Sequence, residues 1–330
     1  MADKGWGPGT EVQRRRYLFA GPKGRVQASM VVSPRRAARR SNSAVRKITQ
    51  KLAFGVLWLA GLSSIAILVT VVGYVMKEGI QVISWEFLTT APLGGLSGEG
   101  GISTTIVTTI YLVALTIVIA APLGIGAAVY LGEYAGEMQG RRGLLPRLVG
   151  IARFGVETLA GVPSIIFGLF GYALFVTAMQ LRFSLLSAGL AGACLIMPVI
   201  IRTTEEALRA VPRSYREGSL ALGATQCQTI VGVVLPAALP GIVTGIVLSV
   251  GRIFSETAVF YVTLGGSSNL PKSLLSPGRT MALHVYSLAM ETRAFDKAMG
   301  TAAVLIITII LINLTINLLS RHLATSARGQ

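Results

Sequence analysis

The stretch EGSLALGATQCQTIVGVVLP, residues 217–236, lies between two apolar runs long enough to cross a membrane, yet it is polar enough to stay in water. Ser214 stands three residues before Glu217, the spacing of a capping box: the hydroxyl caps a short helix and the carboxylate reaches back to the cap's own N–H. Gly223 supplies the positive φ at which such a helix ends. Thr225 and Gln228 repeat the box, so a second helix is predicted to run from there through Ile230 and Val233 to Leu235 and Pro236. The reading is a bent helix–turn–helix facing the cytoplasm, its second arm leading into a membrane span.

The rest of the chain supports a membrane setting. Of 330 residues, 52% are apolar and the mean hydropathy is +0.65. Charged residues make up 13%, against about 25% in soluble domains. This composition belongs to an all-α polytopic membrane protein. Charge is concentrated at the front, where residues 1–51 hold thirteen Lys or Arg against Asp3 and Glu11. Residues 1–50 read as a disordered cytoplasmic tail beside lipid headgroups. No aromatic platform or recognition helix accompanies the basic charge, so nucleic acid is not expected as a partner. Cys194 and Cys227 imply no disulfide framework, and His284 and His322 imply no metal cluster. No P-loop sequence occurs, so ATP is not expected on this chain.

Residues 51–330 read as a six-span domain. The spans are predicted near 53–76, 103–131, 156–179, 184–201, 239–264 and 298–319, each about 20 residues or more, as the hydrocarbon core requires. Gly161 and Pro163 predict a kink or break in span three, and Gly168 and Gly171 predict close helix contact there. Pro122, Gly124 and Gly126 predict a bend in span two. Gly241 and Gly245 form a Gly-x-x-x-Gly packing face on span five. Arginines at 141, 142, 147 and 153, and again from Arg202 to Arg216, place those loops inside by the positive-inside rule. Residues 77–103 and 265–296 then lie outside, with a short interfacial helix at 281–290, and both termini are cytoplasmic. The inner loop at about 202–237 holds the helix–turn–helix read above. Glu157, at the inner end of span three, reads as a cap or interface charge.

Arg252 and Glu256 fall inside the apolar run of span five. Embedded charges face a cavity or a partner, because an unpaired charge at the bilayer centre costs roughly 2.5–3.5 kcal/mol. On a continuous helix the two share one face and can pair. Arg252 lies about 20 Å into the span at ~1.5 Å per residue, past the midplane. As a structural pair they would fix span five against its neighbours. As path-lining groups, Arg252 would offer a planar fork to an oxyanion and Glu256 would weaken the field and accept a proton donor.

Glu217, Gly223, Val233, Leu235 and Pro236 sit at the spacing of the EAA loop of ABC-importer permeases, with Gly218 and Ser219 in place of the two alanines and Val233 in place of isoleucine. The segments GGISTTI (100–106), PLGIG (122–126), LGEYA (131–135), GVPSIIFGLFG (161–171) and GRIFSETA (251–258) make the chain resemble the phosphate-importer permeases of the PstA family. The resemblance covers span two to the C-terminus and leaves out the basic tail. It implies a type I ABC importer permease in a prokaryotic plasma membrane. It implies a second permease of the PstC type, two ATPase subunits that hold ATP and Mg, and a periplasmic or extracellular phosphate-binding protein. It also implies that Glu217, Gly218, Ser219, Gly223, Val233, Leu235 and Pro236 dock the ATPase. The rival readings are a permease for another oxyanion or small solute, an ion-gradient-driven secondary transporter, and a scaffold that reports phosphate status to a sensor kinase.

Overall fold

The computed structural model describes residues 34–93, 99–134 and 144–328. The chain divides into two units, residues 1–66 and 67–330. Of the first, residues 34–66 are described; all are helical and belong to α1 (Pro34–Val82). Residues 34–50, the rear part of the basic tail, are thus the first turns of this helix. Ala37, Ala38 and Ala44, interleaved with arginines, are strong helix formers, and the span that follows them propagates a helix already nucleated. Residues 1–33, and Glu137, Arg141 and Arg142 after span two, lie outside the described residues.

The second unit begins within α1 and continues through eleven further α-helices among the described residues. They are α2 (Trp85–Thr89), α3 (Ser103–Val129), α4 (Leu144–Ala160), α5 (Ser164–Gly171), α6 (Leu185–Ala210), α7 (Arg213–Ala221), α8 (Gln226–Thr229), α9 (Leu235–Ser255), α10 (Ala258–Thr263), α11 (Met281–Met290) and α12 (Phe295–Arg328). Three π-helical turns adjoin them: Tyr130–Tyr134 after α3, Tyr172–Ala178 after α5, and Ile230–Val234 between α8 and α9. Among the described residues, five helical stretches are long and apolar enough to cross a membrane: 46–82, 103–134, 185–210, 226–255 and 295–318. A sixth crossing is made if α4 and α5 count as one span. They are bent by 111° at residues 161–163, where Gly161 and Pro163 predict a break. By contrast, α3 runs through Pro122, and its irregularity comes later, in the π turn.

The second unit is centred on α6. Two thirds of its most apolar stretch is buried, against at most one third for any other candidate span. It packs against α3, α9, α5, α4 and α10. The core collects Leu112 and Ala120 of α3, Phe167 of α5, Ala188, Ile196 and Ile200 of α6, and Ile253 and Phe254 of α9. Close approach depends on small residues. A Cβ on Gly241 would stand 2.6 Å from that of Ala207, and one on Gly245 would overlap the Thr203 hydroxyl, so the Gly-x-x-x-Gly row of α9 lies directly on α6. A Cβ on Gly171 would come within 2.5 Å of the Ala191 Cβ. Two buried hydroxyls of α3 are satisfied within the helix: Thr105 and Thr109 donate to the carbonyls of Ile102 and Thr105 at 2.7 and 2.6 Å. Thr109 Oγ1 also accepts the Met281 N–H that opens α11.

Two boundaries differ from expectation. α6 extends to Ala210, so Arg202, Glu205, Glu206 and Arg209 occupy its final turns and the loop proper begins at Val211. Glu205 and Arg209 sit at i and i+4, 3.7 Å apart, the intervening Ala207 and Leu208 are strong helix formers, and Pro212 stops the helix. The fifth span begins at Gln226 and ends at Ser255, with α10 as a separate short helix packed on α5 and α6.

Candidate functional site

The segment from Pro212 to Pro236 folds as two short helices and a turn, followed by the entry to α9. α7 starts at Arg213 directly after Pro212, whose φ of −57° is already near helical values, and no side-chain cap is present. Ser214 is therefore inside the helix, which overturns the first capping box. Pro212 takes the cap position, so Ser214 is the second helical residue and the Glu217 N–H falls beyond the unpartnered first turn that a cap serves. Glu217 sits mid-helix, exposed, with no hydrogen bond or ion pair among the described residues.

The end of α7 follows the reading. Gly223 has φ of +86°. Its N–H donates to Leu220 O at 3.0 Å, and the Ala224 N–H donates to Ser219 O at 3.3 Å. These two bonds make a Schellman motif. Leu222, before the glycine, is 91% exposed. The second capping box is present in full: Thr225 Oγ1 accepts the Gln228 N–H at 3.3 Å, and Gln228 Oε1 accepts the Thr225 N–H at 2.8 Å. Ser219 and Thr229 hydroxyls meet at 2.9 Å and brace α7 against α8. The π turn 230–234 precedes Pro236. A proline lacks the N–H that would close the preceding turn and crowds the carbonyl four residues back, which accounts for the widened turn. Gly218 and Pro236 are exposed, and Ser219, Val233 and Leu235 are half-buried.

Arg216 carries a role that the sequence reading passed over. Its guanidinium grips Glu133 at 2.6 and 3.0 Å, the two-point geometry of a strong pair. It also donates to Leu208 O at 2.8 Å, in the last turn of α6, and to Val211 O at 2.9 Å, just past its end. Both side chains are largely covered. The Glu133 hydrogen bond raises the Arg216 pKa above its usual value, against the lowering effect of burial. On the neighbouring α4, Arg153 donates to Leu131 O in the same π turn and stands 4.0 Å from Glu205. Exposed Glu157 shares a polar cavity of about 150 Å³ with Arg153, Arg202 and Arg209.

The structure separates Arg252 and Glu256. Arg252 is exposed in the last turn of α9. The helix stops at Ser255, and Glu256 is extended (φ −75°, ψ 128°) and 9% exposed. Its Oε1 accepts the Val259 N–H at 3.3 Å, an orphan donor at the start of α10. No ion pair joins the two among the described residues; capping α10 competes with continuing α9 and turns the carboxylate inward. Arg252 instead ends an exposed row, Pro240, Thr244, Leu248 and Arg252, spaced at i+4 beside the glycine row that packs on α6.

Comparison with known proteins bears directly on this arrangement. Residues 128–329 match the model of the family described as binding-protein-dependent transport system inner membrane component. The chain belongs to that family. As a family member it is a membrane permease subunit of the PstA type. It is 36% identical over 232 residues to the phosphate transport system permease protein PstA 1 of Mycobacterium tuberculosis (strain ATCC 25618 / H37Rv), covering 69% of this chain and 72% of that protein. It is 32% identical over 284 residues to PstA of Yersinia pestis, covering 86% and 92%. It is also 32% identical over 285 residues to the probable ABC transporter permease protein YqgI of Bacillus subtilis (strain 168), covering 82% and 94%. Among solved structures, an inward-facing MetNI methionine ABC transporter aligns with a TM-score of 0.51 at 22% identity, over 68% of this chain and 94% of that one. That likeness establishes the shared permease fold.

Proposed function

We propose that this chain is one of two permease subunits of an ATP-driven importer of inorganic phosphate, lying in a prokaryotic plasma membrane with both termini cytoplasmic. The observation that carries the coupling half of this reading is the segment 212–236. It is held by a Schellman turn and a capping box, yet it presents Glu217 and Leu222 uncovered and unpaired. An exposed leucine at the end of a short helix that also carries an exposed carboxylate suits a partner's groove. Phosphate as solute rests on similarity to proteins named phosphate transport system permease.

In this reading Glu217, Gly218, Ser219, Gly223, Val233, Leu235 and Pro236 dock one ATPase copy, and ATP and Mg stay on that partner. A second permease of the PstC type completes the path, two ATPases sit inside, and a phosphate-binding protein delivers solute outside. Arg252, on the uncovered row of α9, faces the path and offers two parallel N–H donors to phosphate oxygens. Glu256 acts on the path at one remove, by seating α10.

The test is purification of the complex from its native membrane through a tag on this chain, followed by reconstitution with loaded binding protein. Co-purification of an ATPase and a second permease, with phosphate uptake that needs ATP, is the expected result. Uptake by this chain alone under an ion gradient would replace the reading with a secondary transporter. Preference for sulfate over phosphate would move the solute.

A further inference from the structure

The π-helical end of α3, Tyr130–Tyr134, is a junction. Arg153 of α4 donates to Leu131 O, and Glu133 receives both arms of Arg216 from α7. The same guanidinium donates to two carbonyls at the end of α6. One side chain therefore joins three helices at four donor–acceptor contacts. Arg216 directly precedes Glu217, so the residue offered to a partner and the residue anchored in the helices are adjacent. A wide turn suits this place: i→i+5 bonding splays the backbone and leaves Leu131 O open to a side chain.

A lone lysine could not reproduce the arrangement, because a point ammonium lacks the fork that reaches a carboxylate and two carbonyls at once. Nor is a surface charge role enough. The side chains are 22% and 12% exposed, and removing one partner would strand a largely covered charge.

We propose that Arg216 is the positioning residue that makes α7 move as one body with α3 and α6, so that force applied at the 217–223 turn reaches the membrane helices. This deepens the transport reading and rests on it for the source of the force. The clamp itself is a property of this chain and can be read without any solute.

Two measurements test it on the tagged complex. The first uses spin labels at Leu220→Cys on α7 and Leu123→Cys on α3, both exposed positions, with Cys194 and Cys227 replaced by serine. The wild-type background should give one narrow distance distribution. Arg216→Gln should broaden it, and Arg216→Lys should fall between. The second measures phosphate moved per ATP hydrolysed, which Arg216→Gln should lower by about tenfold, since a fixed fork is lost, while the ATPase still co-purifies. The exchange Arg216→Glu with Glu133→Arg should recover part of the narrow distribution. An unchanged distribution in Arg216→Gln overturns the clamp. A broadened distribution with an unchanged transport ratio overturns its role in coupling. A wild-type complex that moves no phosphate counts against the transport reading, while the distance measurement still judges the clamp.

Discussion

Replacing Gly223 by alanine isolates one physical effect. The residue holds φ of +86°, and a Cβ built there meets nothing within 4 Å. Steric overlap with this chain is therefore not at issue, and the cost is backbone strain alone. A left-handed L-residue costs about 1–2 kcal/mol. That is roughly a five- to thirtyfold shift away from the turn. The Schellman bonds from Gly223 N–H to Leu220 O and from Ala224 N–H to Ser219 O should open by that factor. Asparagine tolerates the left-handed region far better, so Gly223→Asn should lose much less. Amide hydrogen exchange of the 219–225 segment in the purified complex reads the opening directly. The expected protection order is glycine, then asparagine, then alanine, and on the proposed function uptake follows the same order. If alanine exchanges like the wild type, the left-handed requirement is wrong. If asparagine keeps wild-type exchange yet loses uptake as severely as alanine, Gly223 serves close approach of a partner instead of the turn.

Glu217→Gln should leave the chain's melting temperature unchanged, since an exposed unpaired side chain contributes within about 0.5 kcal/mol, while ATPase capture by the tagged chain weakens; a fall of several degrees would return Glu217 to a structural role. Arg252→Gln should abolish phosphate uptake with the complex intact. Because Arg252 and Glu256 are not paired, adding Glu256→Gln should not restore it; near-wild-type uptake in the double variant would refute path-lining by Arg252. His284 in α11 is buried, and burial first, then Arg279 and Lys297, pushes its pKa down to about 4, with Glu291 also near Arg279. The unfolded chain binds this proton first, so the stability from neutral His284 is complete above pH 6.5 and is lost as pH falls toward 4, by up to about 1.4 kcal/mol per pH unit. In detergent, His284→Gln should flatten the melting temperature across that window; an unchanged slope would remove His284 as the cause.

The sequence was legible where chemistry is local. Thr225 and Gln228 at box spacing, Gly223 after a helix, and Gly161 with Pro163 in a span each act through their immediate neighbours, and each does what its spacing predicts; Gly241 with Gly245 predicts a close helix contact without naming its partner, which is α6. The apolar runs likewise locate the candidate spans, because crossing lipid is a matter of length and composition. The readings that failed needed competition between neighbours. Ser214 lost the cap to Pro212. Glu256 left the row of Arg252 because α10 offered its N–H groups. The Arg216–Glu133 clamp spans 83 residues, and no periodicity within either segment signals it. Its one local hint was Glu133 inside LGEYA, an acidic residue at the end of an apolar run with no basic residue within four positions on either side.

These features place both ends of the proposed mechanism on one helical stretch. Residues 226–255 form 30 helical residues, including the π turn, about 45 Å at ~1.5 Å per residue. At the first end the capping box and the Ser219–Thr229 contact fix α8 to the 217–223 turn. At the far end stands Arg252, uncovered. Between them the glycine row rests on α6 closely enough to exclude a methyl group. A helix held that tightly cannot bend freely away from α6, so the two must shift together or slide past each other as packed bodies. Arg216 adds the end of α3 to the same body. A push on the exposed turn would then be delivered to the position of Arg252 by rigid displacement, with no chain of side-chain rearrangements needed between them. The uncovered apolar residues of α4, Leu145, Leu148, Ile151 and Phe154, and the exposed row of α9 fit that picture, since a body that must move against a second permease needs a face not committed to its own core.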